Sequence, residues 1–320
     1  MQTHLQDTMN LTLEMPAKRE FDAAGFGANA IDHLVRMSGP PSFGGKSEID
    51  SYDIEPGGEV ASTMFGLERL GFKTAYAGSF GCDAAGEIGL RSLRDAGVNL
   101  EYSRIVETAK TQVGFILIDG SSGERTVLWQ RDPALAHTAA DAPIDLVSRC
   151  RILHMTPHDS PACIRMAEAA RAAGTIVSLD ADNVFKGIEE LLPLVDICIT
   201  SEDLPQRLTG ETDLRTALKR MQDAYAPTII GATLGKRGSI FLSGEEYIET
   251  PGVPVPGGCI DTTGAGDAFR TGFLYGVLSG QSIDECCRTA NAVASLKCRQ
   301  IGARRGLPAI DEVQTMLKNS

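Results

Sequence analysis

The second half of the chain alternates short apolar runs with longer stretches of helical periodicity. Four runs rich in Val and Ile have the length and composition of buried strands. They occupy residues 152–155, 176–180, 197–200 and 228–232. Segments with helical spacing lie between them, such as residues 161–173, which end at Gly174. This alternation predicts an α/β fold: a doubly wound, mainly parallel sheet with helices on both faces.

The first half carries a period-two pattern instead. Apolar residues alternate with polar ones at residues 112–118 and 126–129, and a Gly-containing turn at residues 119–123 joins the two runs. This arrangement predicts a β-hairpin. A similar run at residues 49–55 predicts a short, partly exposed strand. We expect the hairpin to pair with that strand and to form a small sheet outside the main layer.

With 320 residues, the length alone allows one large α/β domain or two ordinary ones, and we expect a single one. Residues 1–20 show neither a turn nor a strand pattern, and we expect a flexible N-terminal extension there. Residues 21–320 are then a single α/β domain, which at this size buries a substantial core without disulfides.

Charge and cysteine usage exclude several functional classes. The chain has 30 basic and 42 acidic residues, a net charge of −12, and no sustained run of Lys or Arg. This balance argues against a nucleic-acid partner or an anionic membrane surface. No apolar run reaches the ~20 residues that a membrane span needs. The eight cysteines lack paired zinc spacings, and we interpret them as reduced thiols of a cytoplasmic protein.

Residues 261–269 read Asp-Thr-Thr-Gly-Ala-Gly-Asp-Ala-Phe and join an extended run to an apolar helical run. Small residues let the main-chain N–H groups of Gly264, Ala265 and Gly266 converge, and the following helix adds its N-terminal donors and positive dipole end. Such a turn suits a phosphate during transfer. Asp267 falls in the first helical turn, where a carboxylate can accept a proton from an attacking hydroxyl. A tight turn with a helix cap is the alternative interpretation of a single Gly-x-Gly-Asp.

This run, followed by Gly272, resembles the C-terminal signature of the ribokinase-like (PfkB-type) carbohydrate kinases. In that family the last Asp is the catalytic base and the Gly-Ala-Gly main chain is the anion hole. The resemblance assigns these roles to Asp267 and to Gly264, Ala265 and Gly266. It spans roughly residues 21–310 and implies a β-sheet lid beside the main sheet. It also implies transfer of the γ-phosphoryl group of ATP, with Mg²⁺, to a sugar hydroxymethyl group.

The resemblance also places the sugar site. Asp32, expected at the end of the first strand, would bind sugar hydroxyls, although alone it reads equally well as a turn or cap residue. Gly57 and Gly58 would bring main-chain amides to the sugar and provide a hinge for the lid. Arg131 is expected to reach a substrate oxygen or phosphate, with a surface salt bridge as the alternative. The lid comprises about residues 33–56 and 112–130. It often forms the dimer contact in the family, so we expect a homodimer.

The nucleotide site is predicted from two further segments. Residues 233–239 resemble the family's nucleotide loop, which implies that Thr233, Gly235 and Gly238 approach ATP. Asn291 takes the place of an adenine-facing Asn. In relatives, carbonyl groups of the loop that follows and of the segment around residue 261 hold a monovalent cation, so the resemblance also implies K⁺.

The metal motif of the family is altered in this chain. Many relatives have Asn-x-x-Glu where this sequence has Ser201-Glu-Asp-Leu204. We expect Glu202 to act on Mg²⁺ through water, because this ion keeps much of its hydration shell.

The acceptor is less well defined by the sequence. Ser62 stands where the family usually has Asn, and residues 293–298 look more like ketohexokinase and sulfofructose kinase. These features favour a ketose. A nucleoside kinase of the same fold and a non-catalytic nucleotide- or sugar-binding relative are the alternatives. Gly25-Phe-Gly-Ala-Asn-Ala30 also matches a dinucleotide fingerprint, which keeps an NAD-dependent oxidoreductase as a rival.

Overall fold

The structure, a computed structural model, describes residues 13–121 and 124–318. The predicted extension therefore falls partly outside the described residues, as does the tip of the hairpin turn. Residues 13–20, however, lie against the domain. Leu13 and Met15 pack on the core, and the Arg19 guanidinium donates to the carbonyl of Ser148 at 2.9 Å and to Thr175 Oγ1 at 2.6 Å.

Strands and helices follow the predicted order. The strands are β1 Phe21–Phe26, β2 Ala30–Met37, β3 Ser51–Gly57, β4 Thr74–Ala77, β5 Ser79–Gly81, β6 Arg104–Val106, β7 Gln112–Asp119, β8 Arg125–Gln130, β9 Cys150–Met155, β10 Ile176–Ala181, β11 Ile197–Ser201, β12 Ile229–Thr233, β13 Gly238–Ser243 and β14 Glu246–Pro251. The helices are α1 Glu59–Arg69, α2 Ala84–Ala96, α3 Ile144–Val147, α4 Ser160–Ala173, α5 Ile188–Leu191, α6 Leu204–Thr209, α7 Leu214–Tyr225, α8 Ala265–Leu278, α9 Ile283–Lys297 and α10 Ile310–Lys318.

Within the described residues the main sheet has eight strands, in the order β14-β13-β12-β11-β10-β9-β1-β4. Neighbouring strands are parallel throughout the series β4, β1, β9, β10, β11 and β12. At the other side of the sheet, β13 and β14 add an antiparallel edge. Both faces of the main sheet are apolar because successive residues of a strand point to opposite faces, and each face packs on its own hydrophobic cluster. In β9, for example, Ile152 packs with α1 and α8, whereas Leu153 packs with α4 and α7. Helices thus cover both faces, which confirms the predicted fold class.

A separate four-stranded sheet, in the order β3-β2-β7-β8, forms the lid. The predicted hairpin exists as β7 and β8, but its pairing with β3 was wrong. β2 lies between them, parallel to β7 and antiparallel to β3. Residues 30–37 read Ala-Ile-Asp-His-Leu-Val-Arg-Met, which lacks a period-two alternation, so no local pattern indicated this strand. Asp32 accordingly lies inside β2 and not at the end of the first strand.

The glycine fingerprint at the end of β1 has a packing role. A Cβ atom added to Gly25 would lie 2.5 Å from side-chain atoms of Met64 and Val60, and one added to Gly27 would lie 2.7 Å from Val60. These glycines let α1 approach β1 closely. No dinucleotide is needed to explain them.

Candidate active site

A cavity of about 1090 Å³ lies between the lid and the carboxyl ends of the main-sheet strands. β10 and β12 contribute Asp180 and Thr233 to its wall, and the lid contributes Asp32 and Gly114. Asp267 enters from the first turn of α8. Open α/β sheets bind their ligands at this edge, because the helices that follow the strands begin there.

The predicted anion turn lines this cavity. Gly264 precedes α8 with φ +73°, and Gly264, Ala265 and Gly266 all belong to the cavity wall. The N–H group of Ala265 donates to the carbonyl of Thr262 at 3.0 Å and so closes the turn. The start of a 14-residue helix faces the cavity, so the dipole of α8 favours negative charge at this point.

The anion turn is held from behind by Asp261. Its buried carboxylate accepts the N–H groups of Thr263 and Gly302, each at 2.8 Å. The loop containing Gly302 therefore packs directly on the turn. A Cβ atom added to Gly264 would lie 2.7 Å from the Cα atom of Ala303, so only glycine fits both this contact and the positive φ.

Asp267 carries a buried carboxyl group with a raised pKa. Burial raises the pKa of its carboxyl group to about 6, while Arg270 and Arg125 counteract that rise. The side chain is therefore ionised at neutral pH and is a stronger proton acceptor than an exposed aspartate. Its backbone is fixed by Thr271, whose hydroxyl group donates to the carbonyl of Asp267 at 2.9 Å.

Asp32 projects from the lid into the same site. The structure leaves room for its carboxylate by placing glycine on both neighbouring strands: a Cβ atom would lie 2.1 Å from Oδ2 at Gly57 and 2.7 Å from Oδ1 at Gly114. Burial and the nearby charge of Asp267 raise the pKa of Asp32 to about 7. The two aspartates, one from lid strand β2 and one from helix α8, therefore interact electrostatically in the cavity.

The two predicted hinge glycines have different environments. Gly58 lines the cavity and precedes α1 with φ +88°. Gly57 lies behind Asp32, outside the cavity wall, and its carbonyl accepts a hydrogen bond from Arg304 at 2.6 Å. Arg304 is buried and also donates to Ser62 Oγ at 3.3 Å. Ser62, the predicted substitute for a substrate-binding Asn, thus supports Arg304 at the base of the lid.

A cluster of carboxylates that sequence reasoning only partly anticipated lines the floor of the cavity. Asp180 and Asp182 lie at the carboxyl end of the strand predicted at residues 176–180, whereas Glu59 at the start of α1 gave no separate signal. Burial and the charges of Asp182 and Asp180 raise the pKa of Glu59. Burial also raises the pKa of Asp180, to about 7, although Arg270 Nη2 lies 2.6 Å from its Oδ1. In the part of the chain that the structure describes, no three His, Cys, Asp or Glu side chains are grouped to enclose a metal by themselves.

The nucleotide residues are only partly brought together. Thr233, Gly235 and Asn291 line the cavity, as predicted for that site, but Gly238 does not. A Cβ atom on Gly238 would lie 2.0 Å from the carbonyl oxygen of Thr250, so this glycine serves the close pairing of β13 and β14.

Glu202 does not reach the cavity wall either. Its carboxylate forms an ion pair with Arg237 on the protein surface. The structure thus gives this side chain a different partner from the predicted water-bridged Mg²⁺.

Arg131 forms an ion pair inside the domain. Its guanidinium forms a bidentate pair with Asp159, at 2.7 and 2.8 Å, and lies outside the cavity wall. The N–H group of His137 also donates to Asp159, at 3.0 Å. Although burial opposes it, hydrogen bonding from Arg131 and His137 holds the pKa of Asp159 below its usual range. The pair is more buried than the predicted surface salt bridge, and the structure does not bring Arg131 to a substrate position.

A lid arginine that the sequence did not single out lies at the mouth of the site. Arg125 of β8 donates to Thr262 Oγ1 at 2.7 Å and lines the cavity. This contact joins the lid to the segment that carries the anion turn. The lid therefore contacts the main domain at the mouth of the cavity.

The description "pfkB family carbohydrate kinase" fits the sequence over residues 21–310. The chain belongs to this family. It is a phosphotransferase with an alcohol group as acceptor, a kinase of sugars or nucleosides. This membership and the absence of a Rossmann-type cofactor turn in the described β1–α1 region remove the oxidoreductase alternative.

Three similar proteins differ in the acceptor that their names give. An ATP-dependent 6-phosphofructokinase of Thermoanaerobacterium thermosaccharolyticum is 27% identical, with 93% of this chain and 94% of the relative covered. A nucleoside kinase of Methanothermobacter thermautotrophicus is 26% identical, with 91% and 94% covered. The solved structure of Arabidopsis thaliana ribokinase complexed with ribose and ATP is 27% identical with a TM-score of 0.82, covering 94% of this chain and 99% of that one. The ribokinase-like fold is confirmed.

The length and apolar character of a helix decide whether it can span a membrane. None of the helices in the described ranges combines the length and apolar character that a bilayer crossing requires.

Proposed function

We propose that this kinase transfers the γ-phosphoryl group of ATP, with Mg²⁺, to the hydroxymethyl group of a sugar, and that a ketose is its acceptor. One observation carries the proposal: Asp267, Asp32 and the turn at residues 264–266 share one cavity between the lid and the main sheet. A base, a second hydroxyl-binding carboxylate and an anion site are the groups that such a transfer requires.

Each group of the cavity has its own role in the transfer. Asp32 accepts hydrogen bonds from sugar hydroxyl groups and orients the acceptor. Asp267 takes the proton of the attacking hydroxyl as the phosphoryl group moves in line between the two oxygens. The N-terminal end of α8 and the turn before it stabilise the negative charge on that group. The lid excludes water, which otherwise competes as acceptor.

Mg²⁺ fits the acidic floor of the cavity. Burial raises the pKa values of Glu59 and Asp180, and the charges of neighbouring carboxylates add to this rise; a divalent cation would relieve that repulsion. Glu59, Asp180 and Asp182 would hold it mainly through its water shell, together with the phosphates. When bound, it neutralises the charge of the phosphate tail.

ATP is assigned to the end of the cavity formed by β12 and α9. Thr233 and Gly235 lie there with Lys236, whose positive charge favours the triphosphate. Asn291, also in the wall, is assigned to the base. The ribokinase structure with bound ATP supports this nucleotide.

The preference for a ketose is supported by the sequence at residues 293–298, which looks like ketohexokinase and sulfofructose kinase. One structural observation favours nucleosides as a second candidate. Trp129, His158 and Phe185 line the cavity together, with ring centroids 6.3 Å apart for Trp129 and His158 and 4.5 Å apart for His158 and Phe185. Such a cluster stacks on a flat base as well as on the apolar face of a sugar.

Two measurements decide between these acceptors. An assay of ADP release is run over ketohexoses, aldopentoses, sugar acids and nucleosides, and the proposal expects the highest kcat/KM with a ketose. Trp129 is the sole tryptophan of the chain, so its fluorescence reports acceptor binding directly. A nucleoside that gives the highest kcat/KM would replace the ketose, and no turnover with any acceptor despite ATP binding would refute the kinase proposal.

The role of Asp267 is tested by Asp267→Asn. We expect kcat to fall by ~10²–10⁴-fold while the Kd for ATP is unchanged, because only proton acceptance is lost. Asp145→Asn, which changes an exposed aspartate of α3, is the matched control. A rate within a few-fold of the parent enzyme would remove the assignment.

We also propose that the chain forms a homodimer through the lid. The outer lid face exposes Tyr52, Ile54, Phe115 and Leu128. His33 stacks on Phe115 at 4.8 Å in the middle of this surface. Large exposed apolar patches of this kind typically mark interfaces. Light scattering should show a dimer for the parent and a monomer for Phe115→Glu; a parent that is monomeric at all concentrations contradicts the proposal.

A cytoplasmic location is proposed as well. All eight cysteines carry free thiols, and most of them are buried. Free thiols of this number are typical of a reducing compartment. Detection of the protein outside the cytoplasmic fraction of its cells would contradict this assignment.

A further inference from the structure

Behind the anion turn, the last residue of α9 places a positive charge in the protein interior. Lys297 has a fully buried side chain, and its Nζ atom donates to the main-chain carbonyl of Asp261 at 3.0 Å. Asp261 is the first residue of the segment that carries the anion turn. A buried ammonium group at this point contacts the segment of the anion turn from outside the cavity wall.

The positive charge of Lys297 lies near the negative charge of a buried carboxylate. The carboxylate of Asp261 is also fully buried, and its two oxygens accept the N–H groups of Thr263 and Gly302. Burial lowers the pKa of Lys297, and the Asp261 carboxylate opposes that effect. The two groups thus compensate each other's charge, as buried ions must.

This arrangement disagrees with the monovalent cation that the resemblance to relatives implies. That ion would be held by carbonyl groups of the loop after α9 and of the segment around Asp261. Here the carbonyl of Asp261 already receives the Lys297 ammonium. A K⁺ ion beside it would place a second positive charge next to the Lys297 ammonium in one buried site, which is electrostatically unfavourable.

We propose that the Lys297 ammonium replaces the monovalent cation, so that this enzyme needs no K⁺ for stability or activity. The activity part rests on the proposed function; the stability part does not. The ammonium keeps the Asp261 segment, and with it the anion turn, in position. It also acts at a distance on the base, since burial raises the pKa of Asp267 and Lys297 is among the groups that counteract this rise.

The parent enzyme provides the first test and needs no variant. Its melting temperature and ADP-release rate are measured in KCl and in tetramethylammonium chloride, each at about 0.1 M to match ionic strength. We expect rates within about twofold and melting temperatures within about 1 °C of each other, because no cation site is available. A rate or melting temperature that rises clearly and saturably with K⁺ would overturn the proposal.

Removal of the ammonium provides the second test. In Lys297→Ala the buried Asp261 carboxylate loses its counter-charge, and we expect a rate loss of about tenfold or more in tetramethylammonium chloride. NH₄⁺ and K⁺ are small enough to enter the space left by the side chain and should restore part of the loss. Lys110→Ala, at an exposed position, is the control and should respond to none of these salts.

The outcomes are separable. The proposal is contradicted when Lys297→Ala releases ADP as fast as the parent in tetramethylammonium chloride. It is also contradicted when this salt restores the rate of the variant as much as K⁺ does. If the variant does not fold, the salt series on the parent decides alone. If no acceptor is turned over, the proposed function fails, and the melting temperatures in the two salts still test the replacement of K⁺ by Lys297.

Discussion

Gly264 offers the sharpest test of how the anion turn is built. Its φ of +73° is nearly the same as the +74° of Gly280, which follows the other end of α8. The two sites differ in their surroundings: a Cβ atom at Gly264 meets the Cα of Ala303 at 2.7 Å, whereas one at Gly280 meets nothing within 4 Å. Alanine substitution at both positions therefore separates backbone strain from steric overlap.

The expected magnitudes follow from this geometry. Left-handed backbone costs alanine about 1–2 kcal/mol, so Gly280→Ala should lower the free energy of unfolding by that amount. At Gly264 the Ala303 backbone must also retreat by roughly 0.8 Å to reach normal contact distance, which adds about 1–3 kcal/mol. We therefore expect a total loss of about 2–5 kcal/mol for Gly264→Ala.

Activity should separate the two variants further. A displacement of this size at the anion turn typically costs ~10²-fold in rate. We therefore expect kcat to fall by about that factor in Gly264→Ala. Gly280 lies away from the cavity wall, and its variant should retain the parental kcat. Urea unfolding and ADP release are measured on both proteins. Equal stability losses, together with a Gly264→Ala rate close to the parental one, would refute the packing argument.

Three further predictions concern charged groups. Because burial raises the pKa of Asp267 to about 6 and only its carboxylate accepts a proton, kcat should rise with pH through about 6 and then level off; a flat profile between about pH 5 and 8 would contradict this. Arg131→Gln breaks the buried pair with Asp159 and should lower the free energy of unfolding by about 3–5 kcal/mol in urea without changing the acceptor KM. A raised KM at unchanged stability would restore the substrate role. Glu202→Gln should leave the Mg²⁺ dependence of the rate within about twofold, since this carboxylate pairs with Arg237 at the surface; a Mg²⁺ titration checks it.

Local sequence determined the parts of this protein whose physics is local. The turn at residues 264–266 needs small residues and a following helix. Both occupy consecutive positions of the chain, so the place of the turn beside Asp267 could be predicted. The same holds for the buried strands of the second half, where composition and length within a few residues are sufficient. The lid hairpin followed from period-two alternation, and the structure confirms it.

Tertiary structure alone decided which distant residues meet. Asp32 reaches Asp267 because β2 inserts between β3 and β7, an order that no local pattern encodes. Arg131 is held by Asp159, which lies in the first turn after β9, and stays outside the cavity wall. Lys297 meets Asp261 across 36 positions of sequence. Such contacts depend on how helices and strands are placed in three dimensions, and a charged side chain binds whichever partner that placement leaves beside it, so its role becomes visible only in the folded chain.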